Sequence, residues 1–170
     1  MILRPFWTKR TYEAWKEASI VWLSGVRRSG KTTLAQSLVN SDEALYINCD
    51  LPVTEDRLRD PELFFRSCEK PVIIFDEIHQ LSDPSRILKI GADLFSRLKI
   101  LATGSSTLAA SQKFRDTLTG RKRLVHLLPV LWTELETFSC RDITRRFFQG
   151  GLPPALLADS KNPSFLPGVA

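Results

Sequence analysis

Cysteine is scarce, and the three present, Cys49, Cys68 and Cys140, are widely spaced with no second ligand type at metal-site spacing. An odd, scattered set excludes a disulfide framework, and the three read as buried, reduced thiols of a chain kept in a reducing compartment. Long hydrophobic runs are also missing. The greasiest stretches are residues 72–75 and 124–132, the second broken by Pro129, and neither nears the ~18 apolar residues of a membrane helix. Residues 1–10 carry Arg4, Lys9 and Arg10 with no continuous apolar stretch, so no secretory signal is visible. A soluble, cytoplasmic protein without a membrane partner is the expectation. No internal repeat and no low-complexity tract occurs.

Acidic residues are in deficit, 19 Asp+Glu against 24 Lys+Arg, for a net charge of +5. This permits contact with polyanions without requiring it. The basic pairs are scattered, at Lys9-Arg10, Arg27-Arg28, Arg121-Lys122-Arg123 and Arg145-Arg146, and solvated faces explain them better than a nucleic-acid footprint.

What is present is a chain of 170 residues, 43% hydrophobic, enough for one globular domain that buries roughly two-thirds of its unfolded surface. Five short apolar runs with strand character, at 20–23, 45–47, 72–75, 100–102 and 124–128, alternate with segments that read as helices. That alternation predicts an α/β fold with a parallel sheet covered on both faces. Runs such as Val72-Ile73-Ile74-Phe75 suit burial on both sides. Asp60-Pro61 and Asp83-Pro84 each read as an N-cap followed by proline at the first helical position. After the second, Ile87, Leu88, Gly91, Leu94, Phe95 and Leu98 share one helical face. Residues 31–39 predict a helix, as do 1–18, with Tyr12, Trp15 and Ala18 on the inner side of the latter. Short helices follow at 132–138 and 142–148, then a turn at 154–158. Trp7, Trp15, Trp22 and Trp132 read as packing groups, and His126, between Val125 and Leu127, as a core or edge residue.

The first apolar run leads into Gly25-Val26-Arg27-Arg28-Ser29-Gly30-Lys31-Thr32, which matches G-x-x-x-x-G-K-[ST] between a strand and a helix. Gly25 and Gly30 let the backbone wrap a phosphate, and the N–H groups of Arg28, Ser29, Gly30, Lys31 and Thr32 converge on it at the positive helix end. Lys31 is expected to be exposed in the loop, contacting only the β- and γ-phosphates, while Thr32 ligates Mg²⁺ and Thr33 joins the phosphate-binding set. The run 72–75 ends in Asp76-Glu77. A strand-end aspartate beside such a loop holds the Mg²⁺ shell, and an adjacent glutamate polarises the attacking water. The run 100–102 leads into Thr103-Gly104-Ser105-Ser106. Thr103 and Ser105 are candidates to bond the γ-phosphate or lytic water; equally, Ser105 or Ser106 caps a helix starting at Thr107.

Taken together, these motifs resemble the AAA+ branch of P-loop ATPases, and more narrowly the prokaryotic AAA-type ATPases fused to a C-terminal domain of unknown function. The segments 25–34, 46–50, 76–80, 103–106, 118–121 and 150–153 carry the resemblance, which covers about residues 4–155. It implies strand order 5-1-4-3-2, an ATPase core over 1–128, the start of a helical lid over 129–155 and a disordered tail over 156–170. It also implies ATP as the nucleotide, Mg²⁺ as cofactor and a homo-oligomer in which Arg121 is an arginine finger reaching the neighbouring γ-phosphate. A solvated arginine in a basic cluster is the other reading of Arg121. Val26-Arg27-Arg28-Ser29 departs from the family's usual loop, and the chain is expected to be a fragment lacking the rest of the lid and the second domain.

Hydrolysis of ATP to ADP and phosphate is the activity these residues predict, with Lys31, Glu77 and Arg121 as its catalytic groups. A nucleotide-gated switch with negligible turnover is the alternative. A small-molecule kinase fits less well, since Glu77 stands where an acceptor would bind, and no Asn-Lys-x-Asp segment is present to read guanine. For His79, two residues beyond Glu77, packing or capping is the better reading than proton transfer. What hydrolysis would drive, and whether a protein or DNA partner is bound, are not written in the motifs.

Overall fold

The computed structural model describes residues 1–38, 43–105, 118–140 and 143–158. In chain order its elements are α1 (Pro5–Glu17), β1 (Ile20–Gly25), α2 (Lys31–Ser37), β2 (Ala44–Asn48), α3 (Pro52–Arg57), α4 (Pro61–Arg66), β3 (Val72–Asp76), α5 (Pro84–Leu94), β4 (Lys99–Ser105), β5 (Lys122–Leu127), α6 (Ile143–Gln149) and α7 (Pro153–Leu157). Single 3₁₀ turns occupy Ile78–Gln80 and Trp132–Glu134. Proline opens α1, α3, α4, α5 and α7, where its missing N–H costs nothing and its fixed φ favours the first turn. The Asp60 and Asp83 carboxylates accept the backbone N–H groups of Leu63 and Arg86, both at 3.0 Å. These are the two caps the sequence predicts.

All five expected strands form one parallel sheet in the order β2-β3-β4-β1-β5. This is the order 5-1-4-3-2 read from the other edge. Alternation along each strand divides the core. Ile20, Trp22, Ile73, Phe75, Ile100 and Ala102 pack against Phe64 and Phe65 of α4 and Ile87 and Leu88 of α5. Val21, Leu23, Ile74, Leu101, Val125 and Leu127 face Trp7 and Trp15 of α1 and Leu34 and Ala35 of α2. A smaller cluster of Val130, Leu135, Phe138, Cys140 and Leu156 holds the segment after β5, where the Val130 N–H also reaches the Gly151 carbonyl at 2.7 Å.

Several expectations need correcting. In α1 the buried residues are Trp7, Thr11 and Trp15, spaced four apart on one face, whereas Tyr12 lies a hundred degrees round and is 46% exposed. Leu94 ends α5 on its outer side, and Trp132 is exposed rather than packed. Cys68 is only half-buried, unlike Cys49 and Cys140. The tail expected from residue 156 does not begin there: Leu156 and Leu157 belong to α7, and Leu156 is buried. Ser106 and the helix expected from Thr107 fall outside the described residues.

Candidate functional site

The carboxyl ends of β1, β4 and β5 lie together, with Gly25 level with Ser105 on one side and Leu127 on the other. A Cβ on Gly25 would stand 2.6 Å from the Leu127 carbonyl oxygen and 2.9 Å from Ser29 Oγ, so glycine alone lets the chain turn out of the sheet here. The loop then takes left-handed backbone at Arg28 (φ 66°) and Gly30 (φ 92°) before α2 begins. Such turns curl successive amides into an anion-binding concavity. Ser29 within it is fully buried, and its hydroxyl oxygen has no hydrogen-bond partner among the described residues. Lys31 departs from expectation. It is buried, and its Nζ donates to the carbonyl oxygens of Gly25 (3.1 Å) and Val26 (3.2 Å). An ammonium is costly to bury without acceptors, and these two carbonyls supply them from its own loop.

Beneath the loop, Asp76 ends β3 with 4% of its surface exposed. Its carboxylate accepts three hydroxyl groups: Thr32 at 2.9 Å and Tyr46 at 2.6 Å on Oδ2, and Thr103 at 2.5 Å on Oδ1. Thr103 is fully buried, and its oxygen also accepts the Glu77 N–H at 2.9 Å. It therefore holds both Asp76 and Glu77, at and just beyond the end of β3. Tyr46, to which sequence reasoning assigned no role, joins because Asn48 pairs with Asp76 in the sheet, two residues along β2 from Tyr46. Burial, and then the Asp76 carboxylate, push the Tyr46 phenol well above its ordinary range. Burial and then the Asp76 charge likewise push the neighbouring Cys49 thiol up to about 12.

Glu77 follows with φ 54°, a left-handed turn that ends β3 and starts the 3₁₀ turn. Its Oε2 lies 3.2 Å from His79 Nδ1, close enough for an ion pair if the ring is protonated but not aligned for a hydrogen bond. His79 thus stands beside the carboxylate rather than capping. His126 is an exposed edge residue, its Nδ1 2.7 Å from Ser24 Oγ.

A model of the AAA domain family matches residues 17–136, from the end of α1 to the turn after β5. The chain belongs to the AAA family of P-loop ATPase domains. This AAA domain is 30% identical over 163 residues to uncharacterized proteins of Mycobacterium tuberculosis and Mycobacterium bovis. The alignment covers 91% of the chain and only 34% of those relatives' length. Among solved structures it is similar to the Walker-type ATPase of Pyrococcus abyssi, with TM-score 0.66, 16% identity, and 92% of this chain and 66% of that one covered. It is also similar to the Thermotoga maritima RuvB Holliday junction branch migration motor, with TM-score 0.58, 19% identity, and 91% and 59% covered.

In this AAA domain the segment before α1 reaches the loop as well. Arg4, 4% exposed, lays its guanidinium along the Glu134 carboxylate, Nε to Oε1 at 2.9 Å and Nη2 to Oε2 at 2.6 Å. Its Nη1 donates to the Ser29 carbonyl at 3.1 Å, and Nη2 also lies near the carbonyls of Leu128 (3.2 Å) and Pro129 (3.3 Å). Burial by itself would raise the Glu134 pKa, but the hydrogen bonds from Arg4 and the Leu131 amide outweigh it and hold the carboxyl below its ordinary range.

A cavity of about 340 Å³ opens beside the loop, lined by Ile2, Gly30, Thr33, Leu34, Phe138 and Pro153 among others. Larger grooves lie against α5 and between α1 and β5, away from the Asp76 cluster. Thr33 is exposed at the cavity wall. Arg121 is not in this region. It immediately precedes β5, whose first residue pairs with Ile20, so it lies at the opposite end of the sheet, where it binds Asp93 at 2.5 Å and 3.2 Å. Six residues of strand, roughly 20 Å at ~3.3 Å each, separate that end from the loop of the same chain.

Proposed function

We propose that this domain binds ATP with Mg²⁺ in the cleft at the P-loop and hydrolyses it to ADP and phosphate by attack of water. The observation that carries the reading is the 2.9 Å contact between Thr32 Oγ1 and Asp76 Oδ2 directly beneath the loop, with Glu77 as the next residue. Magnesium takes hard oxygen ligands and keeps several waters. Thr32 and Asp76 offer the oxygens, and Tyr46 and Thr103 fix the carboxylate's orientation. When bound there, the ion would neutralise charge across the β- and γ-phosphates.

The chain's own groups supply the rest. Loop amides meet phosphate oxygens, and Lys31 Nζ exchanges its two carbonyl acceptors for the β- and γ-phosphates. Glu77 accepts the proton of the attacking water, with its main chain held by Thr103. The apolar cavity of about 340 Å³ beside Gly30 has the size and character of a base and ribose seat. Arg121, remote from its own loop, reaches the γ-phosphate of a neighbouring subunit in a homo-oligomer, leaving Asp93 to do so.

The test is multiple-turnover phosphate release from Mg²⁺-ATP, followed against protein concentration. Specific activity should rise with concentration. Mixing Arg121→Ala subunits with Lys31→Ala subunits should restore part of the activity that each lacks alone, because each supplies what the other has lost. Turnover by an isolated monomer at the full rate would remove the role of Arg121, and no release at any concentration would remove the hydrolase reading.

A further inference from the structure

We propose that Arg4 is a positioning residue for the phosphate-binding loop, acting by fixing the orientation of the Ser29–Gly30 peptide. The inference rests on the reading that this loop binds nucleotide, and it adds a residue that lies outside every motif of the loop.

Arg4 sits at the N-cap of α1, and its own carbonyl accepts the N–H groups of Trp7 and Thr8, which anchors its main chain to the first turn. From there the side chain crosses to three separate segments. The carboxylate of Glu134 takes one edge of the guanidinium in the bidentate geometry that arginine favours. The carbonyls of Leu128 and Pro129 lie against Nη2, and Nη1 is thereby aimed at the Ser29 carbonyl oxygen. Glu134 is locked in turn, since it also accepts the Leu131 N–H at 2.9 Å and the Trp7 indole N–H at 3.4 Å. Neither partner is at liberty to turn away.

The consequence follows from peptide geometry. A trans peptide is planar, and its C=O and N–H point in opposite directions. Holding the Ser29 carbonyl toward Arg4 therefore directs the Gly30 N–H away from Arg4, toward the side of the loop that takes the anion. Gly30 is also the residue at φ 92°, where the backbone of a glycine turns easily in either sense. A peptide flanked by such a residue flips readily unless something holds it, and the structure assigns that task to Arg4.

Two variants separate positioning from simple stapling. Arg4→Lys keeps a positive charge beside Glu134, but one ammonium nitrogen cannot span both the carboxylate and the Ser29 carbonyl. The double variant Arg4→Met with Glu134→Leu removes the pair without stranding a buried charge. In the nucleotide-free proteins, amide hydrogen exchange should accelerate over residues 26–31 while the β1 and β4 amides stay as protected as in the parent. Mg²⁺-ATP affinity should fall about tenfold in both, the worth of one amide hydrogen bond to a charged acceptor. Unchanged exchange at 26–31 in folded variants overturns the proposal, as does acceleration spread evenly over the sheet, which would make the pair a staple only. If the parent protein fails to bind Mg²⁺-ATP while the variants still show the local acceleration, the nucleotide reading falls and the hold of Arg4 on the loop stands.

Discussion

Glu77→Gln should bind Mg²⁺-ATP as the parent does and slow the chemical step about 10²–10⁴-fold, the usual worth of a positioned general base. The substitution keeps side-chain size and leaves the main chain where it is, because the left-handed turn at Glu77 is held through its N–H by Thr103 Oγ1. Only the proton acceptor is lost. Single-turnover hydrolysis measured beside a binding titration checks this, and a variant that hydrolyses ATP at the parent rate would exclude Glu77 as the base.

Lys31→Ala is expected to act on both binding and stability. The ammonium carries a full charge to the β- and γ-phosphates in the proposed complex, and charged hydrogen bonds contribute about 1.5–3 kcal/mol each, so affinity should drop by at least ~10²-fold. The sequence alone suggests a variant with an intact fold. The geometry predicts otherwise, because Lys31 Nζ also satisfies the carbonyls of Gly25 and Val26. Val26 is exposed and water can replace its donor, but Gly25 lies buried at the end of β1. One unsatisfied buried carbonyl costs about 1–3 kcal/mol, which at this chain length lowers the melting temperature by roughly 2–10 °C. Calorimetric titration with Mg²⁺-ATP and thermal unfolding together decide it. A variant that keeps parent affinity would sink the P-loop assignment, and one that melts with the parent would sink the structural role.

The strands were legible because a parallel sheet buried on both faces needs apolar runs, and such runs stand out from the helical segments between them. Their ends were less so. Backbone pairing continues through Ser24-Gly25 in β1 and Thr103-Gly104-Ser105 in β4, where the side chains are small or polar and the hydrophobic signal stops. The loop was legible for a different reason: Gly25 to Thr32 are contiguous in sequence, so the turn they make between β1 and α2 is local. Tyr46 was not, since its hydroxyl reaches Asp76 only once β2 is laid beside β3 in one register. Arg4 and Glu134 lie 130 residues apart, and each looks locally like an ordinary surface charge. Nothing short of the folded topology brings them together. Trp132 erred the other way, its size suggesting burial in a segment whose packing is done by Val130, Leu135 and Phe138.

The thiol of Cys49 makes the folded state its own chemical clock. It directly follows β2, its amide bonds the Asp76 carbonyl at 2.9 Å, and burial keeps the sulfur protonated. Alkylating reagents attack thiolates that they can reach, so this sulfur should be inert until the β2 edge opens. Half-buried Cys68 should label early in a time course with iodoacetamide, followed by mass spectrometry, while Cys49 labels at the rate of local opening. A ligand that draws Tyr46, Thr32 and Asp76 together should lengthen that delay, so the kinetics of one unreactive cysteine would report how firmly the carboxylate beside it is held.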